Sequence, residues 1–253
     1  MKVLLTGTGT SQGIPVINCG CKVCRSTNPK NKRLRTAAVL KSNNTVIAID
    51  VGPDFRQQML RTDIHKIDAV LITHEHHDHI GGLDDLRPFY FARKAPLDIY
   101  GSKQALNAIK KKYYYAFEKN PYPGAPQFNL HELHNKPFHV GNIEITPVIA
   151  NHGSIPVWGF RTGKFAYMTD IKSIPAKEKI KLYKLETLVI SALHHKKHHS
   201  HLSLSEALEL IRELKPQQAI ITHLSHEMGK YEEIRKMLPD NVFCGYDGLE
   251  INI

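Results

Sequence analysis

Short apolar runs rich in β-branched residues recur along the chain and are separated by glycine, proline and polar residues. Runs of about four to eight such residues are typical of buried strands, whereas apolar residues spaced three and four apart are typical of helices. We predict helices over residues 55–61, 83–93 and 103–118. Pro88 disturbs the second of these. The predicted strands cover residues 3–5, 37–40, 45–50, 69–73, 97–100, 143–149, 165–168, 187–193 and 219–222.

The order of these elements differs between the two halves of the chain. Hairpins dominate the first half, as in the two strands around the turn at residues 42–44, and strands alternate with helices in the second half. Ser203-Leu-Ser-Glu206 is a capping-box signature that begins an amphipathic helix, which Pro216 closes. This alternation indicates an α/β fold, and we expect two sheets sandwiched between layers of helices.

The composition is that of an ordinary globular protein. The 253 residues are 42% hydrophobic and 23% charged, and no apolar run has the length of a membrane span or of a signal-peptide core. We expect one domain over residues 1–253, in the cytoplasm and without membrane association. The formal net charge of +10 favours anionic partners such as phosphate esters or nucleic acid.

The predicted strand over residues 69–73 ends in a dense group of potential metal ligands. His74, His76, Asp78 and His79 follow it in the pattern His-x-His-x-Asp-His, and a Gly-Gly pair comes shortly after. Neutral imidazoles and carboxylates suit zinc, manganese or iron, and a loop that leaves a strand end can direct several of them at one point. The pattern therefore predicts a metal site.

Later strands also end in potential ligands. Three of them lead into His152, Asp170 and His223, and the strand between the last two runs into His194 and His195. Strand ends converge on one edge of a sheet, where α/β folds build their sites. A lone histidine at such a position is more often structural than a ligand. Its recurrence at successive strand ends favours the ligand interpretation.

Three of the four cysteines, Cys19, Cys21 and Cys24, lie within six residues. In a reducing cytoplasm such clustering indicates metal binding more than disulfides, but a tetrahedral zinc requires a fourth ligand. The spacing alone does not distinguish a zinc site from a group of free thiols. The isolated Cys244 is better explained as a small core residue.

The motifs from Asp50 through the histidine cluster to His223 occur in an order that resembles the metallo-β-lactamase fold hydrolases. The resemblance implies a single-domain, four-layer αβ/βα sandwich and a dinuclear metal centre in which Asp170 bridges the two metals. We assign Asp50 a supporting role. The implied ligands of the first metal are His74, His76 and His152, and those of the second are Asp78, His79 and His223.

Within that superfamily the chain is similar to the PhnP-like cyclic phosphodiesterase subfamily, in the ribonuclease Z-related branch. The similarity rests on the opening Gly-Thr-Gly-Thr-Ser-Gln-Gly-Ile-Pro, the cysteine cluster, the Thr-His-Leu-Ser-His motif at residues 222–226 and the ending Gly-Tyr-Asp-Gly-Leu-Glu-Ile. It implies a structural zinc in a loop at about residues 18–26. The implied zinc ligands are Cys19, Cys21, Cys24 and His226.

The same resemblance implies that His201 is the general acid near the substrate phosphate, and we count Asp78 with it as a catalytic residue. The loop before His201 departs from the subfamily pattern because it is crowded with imidazoles and two lysines. Which imidazole reaches the site is therefore open. The other histidines of this loop are His194, His195, His198 and His199.

Together these features predict a metal-dependent hydrolase that converts a phosphodiester, small or cyclic, to a phosphomonoester by means of a metal-activated hydroxide. The expected cofactors are two active-site metals, manganese or zinc with iron as a further option, and one structural zinc. The expected partner is a small phosphodiester substrate. Nucleic acid is a less favoured partner, and a homodimer stays open.

Other functions are compatible with the motifs. A ribonuclease Z-like endonuclease that acts on transfer RNA precursors shares the metal ligands and suits the positive charge, but no long Gly/Pro-rich arm for gripping RNA is present. Acyl or thioester hydrolysis is a weaker alternative within the fold. A metal-binding protein without turnover is another, against which the complete ligand set argues.

Overall fold

Fourteen strands form two seven-stranded sheets in the computed structural model, which describes residues 1–253. The strands are β1 (Lys2–Gly7), β2 (Ala37–Ser42), β3 (Thr45–Ile49), β4 (Ala69–Leu71), β5 (Leu97–Gly101), β6 (Phe128–Glu132), β7 (Phe138–Val140), β8 (Ile143–His152), β9 (Ile155–Thr162), β10 (Phe165–Met168), β11 (Thr187–Ser191), β12 (Gln218–Thr222), β13 (Val242–Cys244) and β14 (Leu249–Asn252). The helices are α1 (Phe55–Leu60), α2 (His77–Ile80), α3 (Arg87–Arg93), α4 (Lys103–Lys112), α5 (Ala176–Lys179), α6 (Leu204–Leu214) and α7 (Tyr231–Met237).

Each sheet combines parallel and antiparallel strands. The first has the order β14-β1-β2-β3-β4-β5-β6, and its strands from β3 to β6 are parallel. The second has the order β13-β12-β11-β10-β9-β8-β7, and its strands from β10 to β13 are parallel. Because parallel strands need crossover connections, helices come to lie on the outer faces of both sheets.

Three hydrophobic cores separate four layers. The central core lies between the two sheets and includes Ile47 of the first sheet and Phe160 of the second. A second core packs the first sheet against α1 to α4, and it takes Val46, the neighbour of Ile47, because successive strand residues point to opposite faces. The third packs the second sheet against α6 and α7. The predicted four-layer αβ/βα sandwich is thus confirmed.

Most predicted elements lie within a few residues of those observed, but the strands β6, β7, β9, β13 and β14 were not predicted, and two predicted helices differ from the structure. The helix predicted over 103–118 ends at Lys112, because Tyr113 leaves the helical conformation and its buried hydroxyl donates to the Ile80 carbonyl at 2.7 Å. Pro88 does not disturb a helix; it lies in the first turn of α3, after a 3₁₀ turn over Leu83–Leu86. None of the helices combines the length and the apolar character that a membrane span requires.

Candidate metal centre and active site

Strand ends from both sheets meet at one place and bring the predicted ligands together. His74 and His76 follow β4, and α2 carries Asp78 and His79. The second sheet contributes the end of β8 and the residues just after β10 and β12. The side chains form two adjacent groups, and within each group the ligand atoms lie within 4.8 Å of one another. The first group is His74, His76 and His152, and the second is Asp78, His79, Asp170 and His223.

The second group is held around the Asp170 carboxylate. Oδ1 of Asp170 lies 2.9 Å from Nε2 of His223, and Oδ2 lies 3.3 Å from Nε2 of His79. The same Oδ2 is 3.8 Å from Nε2 of His74 in the first group. Asp78 completes the set, with its Oδ2 3.2 Å from Nε2 of His79. Asp170 therefore lies between the two groups and contacts members of both.

Hydrogen bonds to oxygen atoms fix which ring nitrogen of His79 and of His152 faces the centre. Nδ1 of His79 donates to Asp50 Oδ2 at 2.7 Å, and Nδ1 of His152 donates to the Ser200 carbonyl at 2.9 Å. Nε2 of each ring is thereby left as the inward-facing nitrogen, as in metal-binding histidines whose other nitrogen is held by an oxygen. Asp50 is buried and takes the supporting position that the sequence suggested.

Sequence reasoning missed Thr73 as part of this support. Its backbone N–H donates to Asp50 Oδ1 at 2.8 Å, and its hydroxyl lies 2.9 Å from Asp50 Oδ2. The same hydroxyl is 3.0 Å from Nδ1 of His74. A threonine directly before the His-x-His motif was the only signal in the sequence, because the link to Asp50 joins residues that are 23 positions apart.

Two glycines allow the loop after β3 to pack directly on the loop that carries the histidines. A Cβ atom at Gly52 would lie 2.0 Å from the Asp78 carbonyl, and one at Gly82 would lie 2.0 Å from the Gly52 carbonyl. In the space so gained, the Val51 N–H donates to the His79 carbonyl at 2.8 Å. This close backbone approach places Asp50 beneath His79.

Three polar residues of the site adopt a left-handed backbone conformation within two residues of a strand end. The φ angles are 62° for Asp50, 54° for Asp170 and 59° for His223. Non-glycine residues rarely adopt this conformation, and it is concentrated at functional sites where the surrounding structure enforces it. At these three positions the chain turns away from its strand while the side chain stays in the site.

The electrostatic environment keeps the central carboxylate charged. Burial alone would raise the pKa of Asp170, but the adjacent His223 and His79 imidazoles hold it well below its usual range. Burial also opposes the charged form of His79, yet Asp50, Asp170 and Asp78 together raise its pKa well above the usual value. A buried anion with imidazoles around it is the charge arrangement that a cation site needs.

Unpartnered buried nitrogens show that the residues fit divalent metals. Nε2 of His79 and both ring nitrogens of His223 are buried without a hydrogen-bond partner, although carboxylate oxygens lie close to them. Buried polar atoms are normally hydrogen-bonded, so polar atoms that converge without bonding each other are the arrangement expected of ligands that share an ion. The donor set of imidazoles and carboxylates suits zinc, manganese or iron.

His201 covers the junction of the two groups. Its ring centroid lies 4.5 Å from that of His152 and 5.0 Å from that of His223, one member of each group. Its Nδ1 is buried without a hydrogen-bond partner. The next imidazole outward is His198, 5.1 Å from His201. Of the loop histidines, His201 is therefore the one that the structure places against both groups.

The remaining histidines of this loop point elsewhere. Nε2 of His195 lies 2.9 Å from the Met228 carbonyl, in the segment that follows His226. His199 is exposed, and its ring centroid lies 4.3 Å from that of His198 in a tilted arrangement. His194 is partly buried, and its ring centroid lies 5.8 Å from that of His198.

The cysteine cluster forms a separate group with His226. Nδ1 of His226 lies 3.3 Å from the sulfur of Cys19, 3.4 Å from that of Cys21 and 3.7 Å from that of Cys24. Tetrahedral zinc with the usual bond lengths separates a sulfur and a nitrogen ligand by about 3.5 Å. The four ligand atoms therefore have the spacing of a zinc site. The buried Cys244 lies outside this group.

One thiol of this group has a lowered pKa. The Cys24 backbone N–H, 3.4 Å from the sulfur of Cys21, lowers the pKa of the Cys21 thiol to about 6, and His226 contributes in the same direction. Thiolates rather than thiols bind zinc. The local backbone thus favours the binding form of this cysteine.

Comparison with protein families identifies the superfamily. Residues 45–224 match the family model described as the β-lactamase superfamily domain. An octanoyltransferase from Porphyromonas gingivalis is 40% identical over 253 residues, which are 99% of this chain and 51% of the relative. The chain therefore spans about half the length of that relative. A ribonuclease Z from Staphylococcus epidermidis is 30% identical over 163 residues, 62% of this chain and 48% of the relative.

Comparison with solved structures shows which family within the superfamily the chain is similar to. A crystal structure described as a new diphosphatase from the PhnP family is 35% identical, with a TM-score of 0.93 and coverage of 99% of this chain and 96% of the other. Zinc-bound PqqB from Methylobacterium extorquens, at 16% identity and a TM-score of 0.81 over both full chains, shares the fold. The chain therefore belongs to the metallo-β-lactamase superfamily, and within it to the PhnP family.

Proposed function

We propose that the chain is a dinuclear metal-dependent phosphodiesterase that hydrolyses a small or cyclic phosphodiester to a phosphomonoester. The observation that carries the proposal is the position of Asp170, a carboxylate of the second group whose Oδ2 also lies 3.8 Å from His74 of the first, with His201 covering the junction of the two groups. Two adjacent cations with an imidazole across from them can bind a phosphoryl group between them.

Each group would hold one divalent metal. The first metal would be held by His74, His76 and His152. The second would be held by Asp78, His79 and His223, and Asp170 would contribute to both. Bound there, the metals would lower the pKa of a bound water so that hydroxide forms near neutral pH, and would stabilise charge on the phosphoryl oxygens. Asp50 and Ser200 would keep the imidazoles oriented through the hydrogen bonds to His79 and His152.

His201 would act on the leaving group. In hydrolysis a bond forms between water oxygen and phosphorus, the bond between phosphorus and the alkoxide oxygen breaks, and the alkoxide takes up a proton. The His201 ring stacks on His223 of one group and meets His152 of the other edge-on, and it is placed to give that proton or to donate a hydrogen bond to the developing charge. Asp78 would contribute to the reaction as a metal ligand.

The cysteine group would have a structural role in the same domain. We propose that residues 1–253 form one hydrolase domain in which Cys19, Cys21, Cys24 and His226 hold a zinc that fixes the loop at about residues 18–26. His226 lies three residues after His223, so this loop is attached close to the candidate active site.

A substrate panel on protein whose metals have been counted tests the proposal. The panel compares bis(p-nitrophenyl) phosphate and a 2′,3′-cyclic nucleotide with a transfer RNA precursor and an octanoyl thioester. We expect turnover of the small diesters, and its loss in His74→Ala but not in His131→Ala, whose half-exposed imidazole pairs with Asp98 on β5. A metal-replete protein that leaves every small diester intact would contradict the proposal.

The other two substrates represent the competing functions. The ribonuclease Z relatives and the net charge of +10 favour RNA cleavage, and the octanoyltransferase relative favours acyl chemistry. Faster cleavage of the RNA precursor than of the cyclic nucleotide would select the endonuclease. Faster hydrolysis of the thioester than of the small diesters would indicate an acyl or thioester hydrolase.

A further inference from the structure

The segment that carries His201 is attached to the second sheet through its backbone. The Leu202 N–H donates to the Ile171 carbonyl at 3.0 Å, and the Leu202 carbonyl accepts from the Leu193 N–H at 2.9 Å. Ile171 directly follows Asp170. Leu202 is buried in the core between the second sheet and α6. These contacts hold the chain beside Asp170 one residue after His201.

A capping box at the start of α6 holds the same segment on its other side. Ser203 follows His201 by two residues and is fully buried. Its N–H donates to Oε2 of Glu206 at 2.8 Å, and the Glu206 N–H donates to the Ser203 hydroxyl oxygen at 3.4 Å. A capping box of this kind needs only one oxygen of the glutamate. Oε1 of Glu206 is therefore available to another partner.

That partner is Lys172, which lies two residues after Asp170. Its Nζ lies 2.8 Å from Oε1 of Glu206, and the exposed fractions of the two side chains are 25% and 23%. Burial alone would raise the pKa of Glu206, but the Lys172 ammonium and the Ser203 N–H lower it to about 2. Glu206 is therefore a carboxylate near neutral pH, and one of its oxygens serves the cap while the other serves Lys172.

The backbone of Lys172 is anchored next to the first metal group. Its N–H donates to the Asn151 carbonyl at 2.6 Å, and Asn151 precedes His152. The ion pair thus joins the cap after His201 to segments that carry ligands of both groups. We propose that Lys172 and Glu206 are positioning residues that hold the His201 imidazole against the junction of the two groups. Their role rests on the proposed phosphodiesterase function.

The same helix provides a matched control, an ion pair that does not border the site. Nζ of Lys179 on α5 lies 2.6 Å from Oε2 of Glu213, about two turns further along α6 than Glu206. The exposed fraction of the Lys179 side chain is 24%, close to that of Lys172. Partly exposed ion pairs contribute little to stability. Replacing a member of either pair should therefore leave the protein folded.

The dependence of kcat on the leaving group tests the positioning role. A 2′,3′-cyclic nucleotide leaves an alkoxide that needs a proton, whereas bis(p-nitrophenyl) phosphate leaves p-nitrophenolate, which needs none. We expect Lys172→Met and Glu206→Gln each to lower kcat for the cyclic nucleotide by about tenfold or more, because small displacements of a reacting group are costly. For bis(p-nitrophenyl) phosphate, kcat should stay within about threefold of the wild type, since no proton donor is needed. KM and metal content should not change.

Two comparisons separate positioning of His201 from a general loss of structure. Lys179→Met and Glu213→Gln should leave the ratio of the two kcat values unchanged, and Lys172→Arg, which keeps the charge, should largely preserve it. In a His201→Ala background, Lys172→Met should cause no further loss with the cyclic nucleotide, because substitutions that act through one group are not additive.

Hydrogen exchange provides a readout that does not depend on turnover. The amides of residues 201–203 should exchange faster in Lys172→Met than in the wild type, and at the wild-type rate in Lys179→Met, because only the first substitution releases the capped segment.

An unchanged kcat ratio in both Lys172→Met and Glu206→Gln, with a wild type that hydrolyses both diesters, would overturn the positioning role alone. A further loss from Lys172→Met in the His201→Ala background would show that Lys172 acts by another route, and would overturn it as well. Wild-type protein that hydrolyses neither diester would overturn the proposed function itself, so the two failures are distinguishable.

Discussion

At the scale of single residues, two neighbouring imidazoles of one loop have different surroundings. His201 stacks on His223 and contacts His152 edge-on, and these two residues belong to the two candidate metal groups. His198 contacts His201 and the exposed His199 in tilted arrangements, and it lies one ring further from the centre. The position of its ring, more than its residue type, therefore singles out His201 as the group that can reach a leaving oxygen.

We expect His201→Ala to lower kcat by about 100- to 10,000-fold, the usual contribution of a proton donor, with metal content unchanged. If His201 gives a proton, the loss should be larger for an alkyl leaving group than for p-nitrophenolate, which needs no proton. His198→Ala is the matched control and should retain activity within about threefold. An equal loss in His198→Ala would mean that the reacting imidazole is misassigned.

The identity of the ligand residues could be recognised in the sequence, whereas their backbone conformation could not. His74, His76, Asp78 and His79 were recognisable because they are adjacent and their chemistry is distinctive. The left-handed conformations of Asp50, Asp170 and His223 were not, because Asp and His adopt them only where tertiary contacts compensate their cost. Side-chain identity is local information, whereas backbone strain is imposed by the rest of the fold.

At the scale of elements, the cysteine loop is joined to the candidate active site through the chain after β12. Leu224, next to His223, forms backbone hydrogen bonds with Thr8 and Thr10, at 2.9 and 3.1 Å. His226 then reaches the three cysteine sulfurs. The segment from His223 to His226 thus connects a candidate catalytic ligand to a candidate structural one within four residues.

Cys21→Ala should remove one equivalent of zinc and lower the free energy of unfolding by about 2 kcal/mol, since a structural zinc contributes directly to folding. For a chain of this size that corresponds to a fall in Tm of roughly 4–8 °C. Zinc counting and calorimetry provide the measurement.

Cys244→Ala is the control for the loss of a thiol, because Cys244 is buried outside the group and should leave the zinc content unchanged. Full zinc content and an unaltered melting curve in Cys21→Ala would refute the structural role.

Elements were predictable where packing is simple. The strand at Phe165–Met168 matched its prediction because both of its faces are buried and every residue is apolar. The helix predicted over 103–118 ended six residues early, because Tyr113 hydrogen-bonds to Ile80, which is 33 positions away. The edge strand β7 is short and mixed in polarity, and its sequence does not stand out from a loop. Errors concentrate where partners distant in sequence decide the conformation.

At the scale of the whole molecule, the candidate centre lies across the two sheets. His74, His76, Asp78 and His79 follow a strand of the first sheet, whereas His152, Asp170 and His223 lie at or just after the ends of strands of the second. Each candidate metal group contains members from both sheets. The architecture was predictable from the order of hairpins and βα units, but the pairing of ligands across the sheets was available only through the resemblance, because no spacing rule links residues about 150 positions apart.

Metal binding should therefore stabilise the sandwich as a whole. Burying the unpartnered nitrogens of His79 and His223 costs free energy in the metal-free protein, and a ligand that binds only the folded state stabilises it by RT ln(1 + [L]/Kd). Free metal at about 1,000 times Kd would add about 4 kcal/mol, or roughly 8–16 °C in Tm at about 2–4 °C per kcal/mol.

We expect manganese or zinc to raise Tm with concentration and chelation to lower it, measured in the Cys21→Ala background so that the structural zinc does not contribute. His74→Ala should reduce the shift, because the first group then loses a ligand, whereas His131→Ala should keep it. A single sharp transition at each metal concentration is expected, since ligands from both sheets share the same ions. A melting curve that does not respond to metal would remove the basis for a centre built across the two sheets, and with it the proposed chemistry.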